Sequence, residues 1–217
     1  DPTVGDLKVM RLMPDWSDDE WTQTSLKLEG EVFGGTLTAT YGDLERDTEQ
    51  YADYSLYSDY YVSYGYVEPY YNCYVSYTGF CGDPREQYTN TTEIDRSTYE
   101  IRYVSDQEAR LRYMVGYYGV EVDTASDSDW HVMGLSGTPL AVDAPDIYWT
   151  TDFVRSYEET AYFGEVSFDV TEALTVAASA RQFDYEGGLN GFSGTVWWPC
   201  GGSVSYTHLT LPTKSGV

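Results

Sequence analysis

Along much of this chain apolar and polar residues alternate one for one, the period of an extended strand with one greasy side. The clearest case is Tyr162 to Tyr185, YFGEVSFDVTEALTVAASARQFDY, which predicts two strands joined at Thr171-Glu172-Ala173. On the first strand Tyr162, Val166, Phe168 and Val170 share a face, with Glu165, Ser167 and Asp169 opposite. On the second, Leu174, Val176, Ala178 and Ala180 share a face, with Thr175, Ser179 and Arg181 opposite. The pattern reads as a membrane β-hairpin, although a soluble sandwich alternates in the same way, so periodicity alone leaves the solvent open.

Four earlier strands follow the same rule. The first is expected over about 21–33, with Leu26, Leu28 and Val32 on one face and Ser25, Lys27, Glu29 and Glu31 on the other, and Gly34-Gly35 closing a tight turn. The second is expected over about 36–47, leading into a Tyr-rich segment that ends near Gln87. The third, about 92–104, puts Tyr99, Ile101 and Tyr103 outward and Glu100 and Arg102 inward, and Ser105 to Ala109 is the next short turn. The fourth sets Leu111, Tyr113, Val115 and Tyr117 on its apolar face and runs out into the acidic segment Asp123 to Asp129, taken as the start of a loop reaching about Asp146. A further long loop is expected from Gly187. The fold class is therefore all-β: an antiparallel up-and-down meander of about six long strands. No helical periodicity of useful length, sequence repeat or Pro/Ser linker interrupts it.

Composition narrows the partners. The formal net charge is −24 and Lys and Arg are scattered singly, so phosphate backbones are repelled and nucleic acid is disfavoured. No run of about eighteen apolar residues exists to make a transmembrane helix, but a barrel crosses lipid with strands that are apolar only at alternate positions. Aromatic residues make up 17% of the chain, Tyr far outnumbering Phe.

The run AYFGEVSFDVTEALTVAASARQFDYEGGLNGFSG resembles a barrel hairpin of TonB-dependent outer-membrane receptors, in which an FGE-strand, a short turn, an LT-strand and an Arg-aromatic pair recur. WTQTSLKLEGEVFGGTLTATYGDLERDTEQYADY and YEIRYVSDQEARLRYMVGYY look like earlier hairpins of the same wall, so the resemblance covers roughly residues 16–200. It implies an open segment of a larger transmembrane β-barrel, of about twenty-two strands with a plug in the lumen, in the outer membrane of a Gram-negative bacterium. It also implies active uptake of a scarce ligand, a ferric siderophore or similar metal chelate. The implied partners are outer-membrane lipid and, through parts of the protein not in this sequence, a plug domain and the TonB energy-transducing complex. No plug or N-terminal segment for that complex is found here. Short turns at 34–35, 105–109 and 171–173 are then periplasmic, and loops at about 50–90, 125–148 and 187–202 are extracellular. VSYTHLTLPT, Val204 to Thr213, resembles a translated sequencing-library adapter, so residues 1–202 are taken as barrel and 203–217 as a non-native tail. The chain is accordingly expected to be an internal fragment, whose six strands cannot close on themselves.

Candidate ligand contacts lie in the outer loops. Tyr60, Tyr61, Tyr64, Tyr66, Tyr70 and Tyr71, with Trp130 in the next loop, offer rings that stack and hydroxyls that hydrogen-bond; the same residues also suit an aromatic girdle. Cys73 and Cys81 suit a local disulfide. As thiolate metal ligands they lack a nearby His or a second Cys pair, and no metal site is expected. The DTASDSD segment lacks the Gly and terminal Glu of an EF-hand loop. His131 has no serine elbow or second base beside it, so no catalytic residue is assigned and no cofactor is required. The alternative to a receptor is a surface-exposed β-rich binding or adhesive protein without transport.

Overall fold

The computed structural model describes residues 5–56, 85–133, 146–195 and 204–206. Seven strands run in chain order: β1 Trp16–Val32, β2 Gly35–Asp53, β3 Glu86–Val104, β4 Leu111–Val132, β5 Ile147–Thr171, β6 Leu174–Thr195 and the short β7 Val204–Tyr206. They form one sheet in the order β1-β2-β3-β4-β5-β6-β7, each antiparallel to its neighbour. That order is linear, so among the described residues β1 and β6 do not pair and the meander stays open. β7, inside the adapter-like segment, pairs only with Gly191–Ser193.

The strands are longer than the periodicity suggested. β4 continues through the acidic stretch to Val132, and β2, β3 and β6 likewise extend into 50–53, 86–90 and 187–195, which were expected to be loop. The cause is the ladder itself: once two strands are in register, each further residue adds a backbone hydrogen bond, whether or not its side chain favours a strand. Asp123 to Asp129 therefore lies opposite Asp95 to Thr89, residue for residue.

The turns depend on special backbone geometry. Between β1 and β2 the two turn residues are Phe33 and Gly34, with φ of 52° and 78°, the signature of a type I′ turn. Gly35, expected in the turn, is instead the first residue of β2, opposite Val32. Its bare Cα is needed because a Cβ there would lie 2.4 Å from the Val104 carbonyl oxygen. At the β5–β6 turn a register shift between Asp169 and Thr171 marks a bulge.

The sheet has almost no protein core. Val120, Val132 and Ala161 are the buried apolar residues among those described. Its packing is instead in-plane, a large ring on one strand covering a glycine on the next. Phe163 lies over Gly116, where a Cβ would approach the ring to 2.2 Å, and Tyr99 lies in the same way over Gly119. We expect Gly116→Ala to lower stability by about 1–3 kcal/mol through overpacking, read from urea unfolding in neutral detergent. Adding Phe163→Ala should restore part of the loss; full additivity of the two changes would argue against this contact.

Candidate membrane-facing surface

Register converts alternation on single strands into faces of the whole sheet. Leu26 and Leu28 of β1, Ala39 and Tyr41 of β2, Tyr99 and Ile101 of β3, Val115 and Tyr117 of β4, Tyr162 and Val166 of β5, and Val176 and Ala178 of β6 all fall on one side. These side chains are uncovered. Leu26 is 57% exposed, Ile101 53%, Val115 54%, Phe168 43% and Val176 56%, with no second layer against them among the described residues. A contiguous apolar patch of that kind on a monomer needs a partner.

The patch is a band with two edges. At its lower edge are the short turns, with Phe33 almost fully exposed and Tyr103 beside Tyr113 at 5.9 Å. At its upper edge tyrosines line up across the strands: Tyr99 and Tyr117 are 5.9 Å apart and Tyr117 and Tyr162 4.9 Å, with Tyr41 opposite Tyr99. On β4 the band runs seven residues, Leu111–Tyr117, and on β5 nine, Tyr162–Val170. That is about 20–30 Å along the strand, at the short end of what a tilted membrane strand uses.

Above the tyrosine row the same face turns acidic. Asp43, Glu45, Asp95, Glu121, Asp123 and Glu158 follow directly, and neither Lys nor Arg occurs on this face of β1 to β6. Strand cations all alternate to the other side. There Arg46 pairs with Asp19 at 2.6 Å, Lys27 with Glu29 at 2.7 Å, Arg112 with Asp169 at 2.6 Å and Arg181 with Glu159 at 2.6 Å. Arg112 and Asp169 meet through two parallel hydrogen bonds, and Asp169 also accepts from the Thr175 hydroxyl at 2.6 Å, so three strands are tied together beside the short turns. Higher on the same side, Glu159 accepts from the Tyr157 hydroxyl at 2.7 Å, while Arg181 lies over the Tyr118 ring. Donating to the Glu159 carboxylate, together with burial, pushes the Tyr157 phenol up to about 12.

Of the residues singled out for ligand contact, Trp130 is the one within the described part. It lies in β4, not in a loop, packed edge-on against Tyr54 at 4.5 Å and beside Tyr88 at 5.0 Å. Tyr60, Tyr61, Tyr64, Tyr66, Tyr70, Tyr71, Cys73 and Cys81 lie outside the described residues. The residues that sequence reasoning missed are the outward carboxylates above the band. Alternation within 121–129 already carried that signal, masked by its resemblance to an acidic loop. No group of three or more His, Cys, Asp or Glu that could hold a metal occurs among the described residues. No described helix is long and apolar enough to cross a membrane, which says nothing of crossing by strands. No family model, curated protein or solved structure matches the chain.

One carboxylate holds the N-terminal segment in place. Burial pushes the Asp53 carboxyl up, but the Ser55 hydroxyl and the backbone amides of Ser55, Leu12 and Met13 outweigh it and hold the group below the usual carboxylate range. The Leu12 and Met13 amides donate to it at 2.5 and 3.1 Å. A depressed folded pKa means that this stabilisation is present above the unfolded carboxyl value of about 3.9 and is lost as pH falls through the folded one. We expect residues 5–15 to detach on acidification, and Asp53→Asn to detach them at neutral pH. Hydrogen exchange at the Leu12 and Met13 amides checks this; unchanged protection in the variant would refute it.

Proposed function

We propose that this chain is a section of the wall of an outer-membrane β-barrel of the TonB-dependent receptor type, serving uptake of a scarce ligand such as a metal chelate. The observation that carries the membrane assignment is the uncovered apolar band, bounded by tyrosines and followed on the same face by acid. Tyrosine prefers the boundary between acyl chains and water because its ring is apolar and its hydroxyl polar. In this reading the band meets lipid, while the opposite face, with its Arg–carboxylate pairs and threonines, lines a lumen.

The receptor assignment draws support from the three hairpin motifs and from strand length. β5 spans Ile147–Thr171, far beyond the residues needed for the band, as in a wall that rises well above the membrane to carry long outer loops. The short turns then face the periplasm. The Tyr-rich segment between β2 and β3, which includes Tyr60 to Tyr71, opens to the exterior, where the ligand would be captured. Among the described residues β1 has no outer partner and β6 is paired beyond β5 only at Gly191–Ser193, so further strands of the complete barrel would flank β1 and β6. The polar, acidic upper half of the strands also suits the alternative of a surface-exposed binding or adhesive protein, which would need no insertion through the band.

Insertion is therefore the deciding measurement. With the chain folded into phosphatidylcholine vesicles, Val115→Trp should be quenched strongly by lipids brominated on the acyl chain, and Ala125→Trp, ten residues higher on the same strand and face, should not. Val115→Arg should cost about 2–4 kcal/mol in vesicles. A chain that stays monomeric in buffer without detergent, or equal quenching at both positions, would overturn the membrane assignment.

A further inference from the structure

The outer half of the sheet carries a repulsion that no Lys or Arg on the same face of β1 to β6 relieves. Glu45 is the direct cross-strand partner of Asp95, and Asp95 of Asp123. Glu121 is likewise the direct partner of Glu158, and Glu158 of Glu186. Directly opposed side chains in an antiparallel pair lie about 5 Å apart, and like charges there destabilise the pairing. These are two unbroken acid rows, each crossing three strands. The neighbouring strand cations do not answer them, because Arg46, Arg96 and Arg155 alternate to the opposite face, where Arg46 is engaged by Asp19. Asp127, opposite Asp152 on the same acidic face, shows the result: burial first, then the charges of Asp129 and Asp152, push its carboxyl above the usual range. Neutralisation has to come from solution. The rows form no metal cage, so the cations involved are diffuse and not chelated.

We propose that the outer half of this sheet is a cation-dependent element: above the tyrosine row, strand pairing holds only while dissolved small cations screen the acid rows, and the strands fray there when ionic strength falls. The lower half has no such dependence, since the same face is apolar there and on the other face Lys27, Arg102 and Arg112 meet Glu29, Glu100 and Asp169. Salt therefore acts in opposite senses on the two halves: it strengthens the acid rows and slightly weakens the Arg–carboxylate pairs. The inference stands on strand register and does not require that the band meets lipid.

The test is hydrogen exchange by mass spectrometry on the full chain in dodecyl maltoside, at fixed pH, in about 10 mM and then about 300 mM NaCl, where the screening length falls from about 30 Å to under 8 Å. We expect peptides within 43–50, 89–97, 120–129 and 152–159 to gain at least about tenfold protection with salt, levelling off before the highest concentration. Those within 98–104, 111–117 and 162–168 should change little. A double variant at the centre of each row, Asp95→Asn with Glu158→Gln, should raise low-salt protection of the outer half and at least halve the salt effect. Preserved protection of the lower peptides shows that the variant is folded. Equal protection of the outer half at both salt concentrations, an equal gain in both halves, the same gain from sucrose, or full salt dependence in the double variant would each overturn the proposal. Failure of vesicle insertion bears on the membrane assignment alone and leaves this result readable.

Discussion

The described strands form a sheet one layer thick, and their other features follow from that. Backbone amides and carbonyls are satisfied sideways, strand to strand, so the polypeptide needs no second layer to complete its hydrogen bonds. What the single layer cannot do is cover its own side chains. Leu28 at 61% and Val176 at 56% exposure are what such a sheet must show when its alternation places apolar groups on one face. Stability and environment are then the same question, because the hydrophobic term that ordinarily comes from a core must come from whatever lies against the band.

Within that constraint the internal adhesion is lateral. Phe163 over Gly116 and Tyr99 over Gly119 each seat a ring on the bare backbone of the next strand, which packs two strands together without a core. The Arg112–Asp169–Thr175 network does for the lower rim what a buried cluster does in a globular domain. Its partners are partly exposed, so its strength lies in geometry and in the number of strands it joins more than in charge.

Segregation of charge is the second organising feature. Bases keep to one face of the strands, where Lys27, Arg46, Arg102, Arg112 and Arg181 meet carboxylates, while the other face passes from apolar to tyrosine to acid along the strand direction. One surface therefore passes through three kinds of side chain in sequence: apolar, tyrosine and acidic. The strands stay continuous through all three because the ladder hydrogen bonds are indifferent to which environment the side chains meet.

The existence of six strands, their order and the separation of Ile101 and Val115 from Arg102 and Glu165 onto opposite faces were legible in the sequence, because a period of two is a local property that needs no partner to define it. Strand ends were not: Asp123 to Asp129 reads as a loop by composition, and pairing with β3 on one side and β5 on the other makes it a strand. The same holds for Gly35, whose need for a bare Cα arises from the Val104 carbonyl on a strand some seventy residues away. Trp130 looked like a loop residue for the same reason, and its contacts with Tyr54 and Tyr88 come from three different places in the chain. Sequence alone thus determined which side of each strand is greasy. Register decided which tyrosines form a row and which acids face one another, because neighbours across a sheet are set by where the turns and bulges place each strand against the next, a long-range relation that no stretch of a single strand contains.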